Sequence, residues 1–154
     1  MFEIRPEIYR FADEIDPKTL SGREHKDQGE NLEATEPTIL VVDDQQMVAD
    51  TTAEILNRSG FRASRAYTAH SALQIARKLK PDYLLTDVLM PNMNGVELAI
   101  AVSTELPRTR IVLFSGQAGI TDILHRAKEH GYVFDLLAKP MHPEKLVNFL
   151  RRKL

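Results

Sequence analysis

Apolar positions from residue 38 onward alternate between two spacings. Short, largely apolar runs predict strands at 38–42, 82–87, 110–115 and 132–138, and the less apolar stretch 61–67 predicts a weaker strand. Between these runs, apolar residues recur every three to four positions, which predicts helices at 46–60, 70–80, 95–106, 120–131 and 143–154. Five alternating strand–helix units predict an α/β fold built on a doubly wound, parallel five-stranded sheet.

The ends of the predicted strands are where chemistry is expected. The first, third and fourth runs (TILVV, DYLLTD and RIVLFS) are largely apolar, as is typical of strands covered by helices on both faces. Right-handed crossovers place the carboxyl ends of parallel strands at one edge of the sheet. Ligands of open α/β sheets bind outside that edge.

Reactive polar residues occupy four of these five strand ends. Asp43 and Asp44 follow the first strand, Asp87 ends the third, Ser115 ends the fourth, and Lys139 follows the fifth. Taken singly, each has an ordinary explanation: an aspartate can cap a helix or begin a turn, and a lysine can be a solvated surface residue. Their occurrence at equivalent positions favours one common site.

This set of side chains suits a phosphoryl group held beside a magnesium ion. Crowded carboxylates raise one another's pKa unless a cation lies among them, and oxygen ligands with room for water suit Mg²⁺. An ammonium and a hydroxyl can neutralise and bind the phosphoryl oxygens. Asp87 is the predicted nucleophile, since carboxylates form acyl phosphates.

Four segments resemble the signature blocks of bacterial response-regulator receiver domains: ILVVDD, DYLLTDVLMPNMNG, VLFSGQA and LLAKP. The resemblance covers residues 37–154 and implies a flavodoxin-like (βα)5 fold with strand order 2-1-3-4-5. It makes Asp87 the phosphoacceptor, with Ser115 and Lys139 contacting the phosphoryl group, and it implies a cis peptide before Pro140. The magnesium ligands that it implies are Asp43, Asp44, Asp87 and the backbone carbonyl of Leu89.

The resemblance also makes Ser115 a switch, drawn toward the phosphoryl oxygen and moving the helix near Ile120. The family couples this movement to an aromatic residue three positions before the lysine, where this chain has Leu136. Phe134, two residues earlier, has the same strand parity as Leu136. We expect either that Phe134 takes the aromatic role or that the signal follows another route.

The function that the resemblance implies is that of a response regulator in a two-component or phosphorelay system. It would take its phosphoryl group from a sensor histidine kinase or a histidine phosphotransfer protein, act on an unknown downstream protein, and catalyse nothing beyond its own phosphorylation and dephosphorylation. Two other interpretations stay open. One is a pseudo-receiver scaffold. The other is a haloacid-dehalogenase-type phosphohydrolase, although the segment VVDDQQ lacks the Asp-x-Asp pattern of that family.

Charge, cysteine content and apolar patterning bear on the partners and the location of the protein. The net charge of -2 gives no basic surface of the kind that nucleic acid requires, and the chain has no cysteine. No apolar run approaches the roughly 20 residues of a membrane span, and the first residues do not form a signal peptide. We expect a cytoplasmic, stand-alone receiver without nucleic-acid or membrane partners.

Residues 1–36 differ from the rest, with ten acidic and five basic residues. Within them, Ile4, Ile8, Phe11 and Ile15 follow a helical spacing, which predicts a short amphipathic helix before a polar linker at 21–37. A helix this short is marginal alone. It either docks on its own receiver domain or frays, or it binds a partner or a second copy in a homodimer.

Overall fold

Strands and helices alternate throughout the part of the chain that the computed structural model describes, residues 35–116 and 120–153. The predicted amphipathic helix and most of the polar linker lie outside the described residues. The strands are β1 (Thr38–Val42), β2 (Arg62–Ala66), β3 (Tyr83–Asp87), β4 (Arg110–Ser115) and β5 (Asp135–Ala138). The helices are α1 (Gln46–Arg58), α2 (Ala69–Leu79), α3 (Gly95–Glu105), α4 (Thr121–Glu129) and α5 (Pro143–Arg152).

The five strands form one parallel sheet in the order β2-β1-β3-β4-β5, which confirms the predicted flavodoxin-like fold. The pairing register aligns the strand ends that carry the candidate residues. Asp87 pairs with Phe114, and Ser115 pairs with Ala138. The carboxyl ends of β3, β4 and β5 are therefore level with one another at one edge of the sheet.

The core lies on both faces of the sheet because successive strand residues point in opposite directions. Ile39 and Val41 pack with α1 and α5, whereas Leu40 and Val42 pack with α2 and α3. Leu113 of β4 joins a third cluster beneath α3 and α4. Burial on both faces explains why the central strands are apolar runs rather than alternating patterns.

Strand β5 is shorter than predicted and begins at Asp135 rather than at 132. The end of α4 accounts for the difference. Gly131 has φ 87°, and the N–H of Tyr132 donates to the carbonyl of Ala127 at 2.9 Å, which closes the helix with a Schellman motif. With its N–H committed to the helix end, Tyr132 cannot enter the sheet ladder. The other boundary differences are of one or two residues.

The turn between β3 and α3 is closed by a glycine that no other residue could replace without movement. The N–H of Gly95 donates to the carbonyl of Val88 at 2.7 Å. A Cβ at position 95 would lie 1.8 Å from the carbonyl oxygen of Asp87. Asn94 precedes it as the helix cap: its Oδ1 accepts from the N–H of Glu97, and its backbone N–H donates to Oε2 of Glu97, which forms a capping box. The start of α3 is thus held directly against Asp87.

We predict that Gly95→Ala lowers the free energy of unfolding by about 3 kcal/mol, because the added methyl group meets backbone rather than a movable side chain. Urea denaturation measures this loss. Gly60→Ala is the comparison: it meets nothing within 4 Å but has φ 91°, so it should cost only about 1 kcal/mol. Equal losses at the two positions would contradict a steric role for Gly95.

Candidate functional site

Side chains from three strands meet at the carboxyl edge of the sheet. Asp43 follows β1, Asp87 ends β3, and Lys139 follows β5. The Nζ of Lys139 donates to Oδ2 of Asp43 and lies 3.6 Å from Oδ2 of Asp87. The structure therefore brings together an ammonium and two carboxylates that are widely separated in the sequence.

The three candidate metal-binding carboxylates are also neighbours. One carboxylate oxygen from each of Asp43, Asp44 and Asp87 lies within 4.8 Å of the others. Asp43 is buried, Asp87 is half-buried and Asp44 is exposed. A cluster of hard oxygen donors with one side open to water fits a magnesium ion, which prefers carboxylates together with several water ligands.

Backbone N–H groups fix both inner carboxylates. Oδ1 of Asp43 accepts from the N–H of Gln45 at 2.9 Å, at the start of α1. Oδ1 of Asp87 accepts from the N–H of Val88 at 2.8 Å. In each residue the oxygen left over, Oδ2, is the one that faces Lys139. The turns after β1 and β3 therefore aim two carboxylates at one point.

The pKa of Asp87 is raised above its ordinary value of 3.8. Burial is the largest cause, and the negative charges of Asp43 and Asp44 add to it. The Lys139 ammonium and the N–H of Val88 act in the opposite direction without cancelling the rise. The site thus holds more negative charge than Lys139 compensates, and a bound cation would favour the ionised carboxylate.

Lys139 is held from several sides, and only 21% of its side chain is exposed. Its Nζ lies 5.3 Å from the centre of the Phe114 ring, and its backbone N–H donates to the carbonyl of Ser115 at 2.9 Å. The Lys139–Pro140 peptide is cis, as the resemblance implied. Sequence reasoning missed Phe114, because a position inside an apolar run gives no signal that a lysine from another strand lies over its ring.

Ser115 is buried at the end of β4, next to Lys139. The segment 117–119, through which it would move α4, lies outside the described residues. Leu89 is partly buried and packs under α3 and α4. That its carbonyl would bind metal stays a prediction.

The other two switch candidates, Phe134 and Leu136, lie just before β5 and within it. Phe134 precedes β5, stacks on Tyr132 with ring centres 6.1 Å apart, and packs with the α4 cluster. Leu136 is 44% exposed on β5. Of the two, Phe134 has the contacts that could couple β5 to α4.

The family model of the response regulator receiver domain matches residues 39–151. The chain belongs to this family. Receiver domains are the phosphorelay modules of two-component systems, and magnesium is typical of the family.

Curated relatives include the probable transcriptional regulatory protein TcrX of Mycobacterium tuberculosis, 29% identical over 117 residues, which are 76% of this chain and 49% of TcrX. Sporulation initiation phosphotransferase F of Bacillus subtilis is 28% identical over 116 residues, which are 75% of this chain and 92% of that protein. The receiver thus spans about half of the first relative and nearly all of the second.

Among solved structures, the chemotaxis protein CheY4 of Vibrio cholerae matches with a TM-score of 0.69 and 28% identity. The match covers 77% of this chain and 99% of CheY4. Within the described residues, no helix has the length and apolarity needed to cross a membrane.

We predict that Asp87→Asn stabilises the metal-free receiver at pH 7, raising its thermal midpoint by roughly 3 °C. Because the folded-state pKa of Asp87 is raised, ionisation costs stability as the pH rises through the range above 3.8. The amide removes this cost, and Lys139 keeps Asp43 as a partner. Calorimetry in EDTA across pH 3–8 measures the difference.

The advantage of Asp87→Asn should disappear at low pH, where the wild-type carboxyl is protonated. Added Mg²⁺ should raise the wild-type midpoint more than that of the variant, since we expect the ion to bind the acid cluster of the folded state. An advantage that is constant with pH would show that the carboxylate charge is not its cause.

Proposed function

We propose that this receiver is a phosphoacceptor response regulator, with Asp87 accepting a phosphoryl group from a phosphohistidine of a sensor histidine kinase or a histidine phosphotransfer protein. Oδ2 of Asp87 would form the new bond to phosphorus as the phosphorus–nitrogen bond of the donor breaks. The observation that supports this most is the placement of Asp87. Its Oδ1 is engaged by a backbone N–H, while Oδ2 faces Lys139 in a partly open, acidic site.

The residues around Asp87 supply complementary functions. Lys139 carries the positive charge that would bind phosphoryl oxygens, and Ser115 at the end of β4 would donate its hydroxyl to one of them. Asp43, Asp44, Asp87 and the carbonyl of Leu89 would hold Mg²⁺, which supplies positive charge against the phosphoryl oxygens when bound. Before phosphorylation, the ion pair between Lys139 and Asp43 keeps the ammonium close to Asp87.

The phosphorylated form would act by conformational change and contact with a downstream protein in the cytoplasm. The hydrogen bond from the backbone N–H of Lys139 to the carbonyl of Ser115 links the two residues that would contact the phosphoryl group. A shift of Ser115 would thus displace the end of β5 as well as the chain leading to α4. This arrangement suits a switch better than a catalyst that must release product repeatedly.

The proposal predicts that acetyl phosphate with Mg²⁺ adds one phosphoryl group to the protein, detected by intact mass. Asp87→Asn should abolish the addition, and Asp122→Asn, an exposed aspartate on α4, should not. Beryllofluoride should saturate the wild type with the same dependence on Asp87. Absence of any addition would support the pseudo-receiver interpretation, and multiple turnovers of a phosphate ester would support a phosphohydrolase.

We also predict that Phe134 transmits the change from β5 to α4. Beryllofluoride should shift the amide resonances of both the Asp87 region and α4 in the wild type. Phe134→Ala should weaken the α4 shifts at least twofold and leave those near Asp87 in place, because Phe134 packs against the same buried cluster as Ile123 and Leu124 of α4. Val133→Ala, at a neighbouring position that is 65% exposed, is the control. Undiminished α4 shifts in Phe134→Ala would show that the signal travels by another route.

A further inference from the structure

A groove lies between β5 and α5, at the edge of the sheet that β5 forms. Among the described strands, β5 pairs with β4 alone and so forms one edge of the sheet. The groove encloses about 210 Å³ and is lined by Leu137, Met141, Lys145, Asn148, Phe149 and Arg152. This volume is below the 300–1,000 Å³ that is usual for small-molecule sites. It suits side chains of a docking segment better than a cofactor or metabolite.

The lining of the groove combines an apolar floor with a cationic border. Leu137, Met141 and Phe149 belong to or pack against the core cluster beneath α5. Lys145 and Arg152 are exposed along the same face of the helix. The groove therefore fits an apolar stripe that is bordered by carboxylates.

We propose that residues 1–16 of this same chain dock in this groove. The apolar stripe described above supplies four large side chains at helical spacing, namely Ile4, Ile8, Phe11 and Ile15. At 100° per residue, Glu3, Glu7 and Glu14 fall along one border of that stripe. Acidic side chains on one border match the cations on the border of the groove.

The point where this segment joins the receiver is at the correct edge of the sheet. The N–H and hydroxyl of Thr38 donate to Oδ2 of Asp82 at 2.8 and 3.1 Å, which fixes the start of β1 at the amino edge. The last turn of α5 reaches the same edge, where Arg151 donates to the carbonyl of Ser59 at 2.8 Å. The chain therefore enters the receiver at the same edge of the sheet as the last turn of α5, which carries Arg152 of the groove lining.

The tether is long enough to permit docking within one molecule. β1 and β5 are three strand spacings apart, roughly 14 Å. The residues between Ile15 and Thr38 span up to roughly 70 Å when extended. A short tether of this kind gives an effective concentration on the order of millimolar, so docking in cis outcompetes docking on a second copy at micromolar protein.

Paramagnetic relaxation tests the proposal in the full chain, which has no native cysteine to interfere. A spin label on Tyr9→Cys, a position opposite the apolar stripe, should broaden the amides of Asn148 and Phe149 strongly. It should broaden the amide of Ala76 on α2, which lies on the other face of the sheet, several-fold less. Equal broadening at the three amides would overturn the proposal.

Two further measurements separate specific docking from other outcomes. Phe11→Asp should remove the selective broadening, whereas Asn31→Asp, which adds the same charge in the linker, should keep it. Arg152→Glu should weaken it, and Lys78→Glu on α2 should not. Broadening that appears only when labelled chains are mixed with isotope-labelled unmodified chains would assign the groove to a second copy and overturn docking in cis.

Discussion

The receiver is organised around an imbalance of charge at one edge of its sheet. Three carboxylates lie within a few ångströms of one another, and Lys139 pairs closely with Asp43 while standing 3.6 Å from Asp87. Asp87 is thus less closely paired with the ammonium than Asp43 is, and burial raises the pKa of Asp87. Such a group favours a bound cation, and a magnesium ion would supply positive charge there while keeping several of its water ligands.

The rest of the fold holds these charges in place against their repulsion. Parallel pairing brings the ends of β3, β4 and β5 level, and burial of the central strands on both faces leaves the sheet edge little freedom to relax. Gly95 lets α3 approach the carbonyl of Asp87 more closely than any side chain would allow. The many contacts of the packed core therefore offset the repulsion between the carboxylates, which costs about 1–2 kcal/mol of folding free energy.

Sequence reasoning anticipated the sheet and the site for an identifiable reason. Apolar runs and helical spacings fix strand and helix order, and in a parallel sheet that order determines which residues share an edge. Asp43, Asp87 and Lys139 could therefore be placed together from their positions alone. Features that depend on three-dimensional packing could not, such as the cation–π contact with Phe114. The start of β5 was misplaced because the Schellman motif at Gly131 takes the N–H of Tyr132, and apolar periodicity carries no trace of that bond.

The groove beside β5 lies next to the charge cluster, and its proposed occupant is the acidic segment 1–16. Met141 lines the groove two residues after Lys139, so whatever occupies the groove packs against the segment that carries the ammonium. If the acidic segment docks in cis with a dissociation constant of about 0.1 mM at an effective concentration of about 1 mM, a competing protein sees its affinity reduced roughly tenfold. That is a coupling of about 1.4 kcal/mol, within the range by which a switch is usually biased. A weak intramolecular contact is therefore sufficient to set the threshold at which a partner gains access to this edge of the receiver.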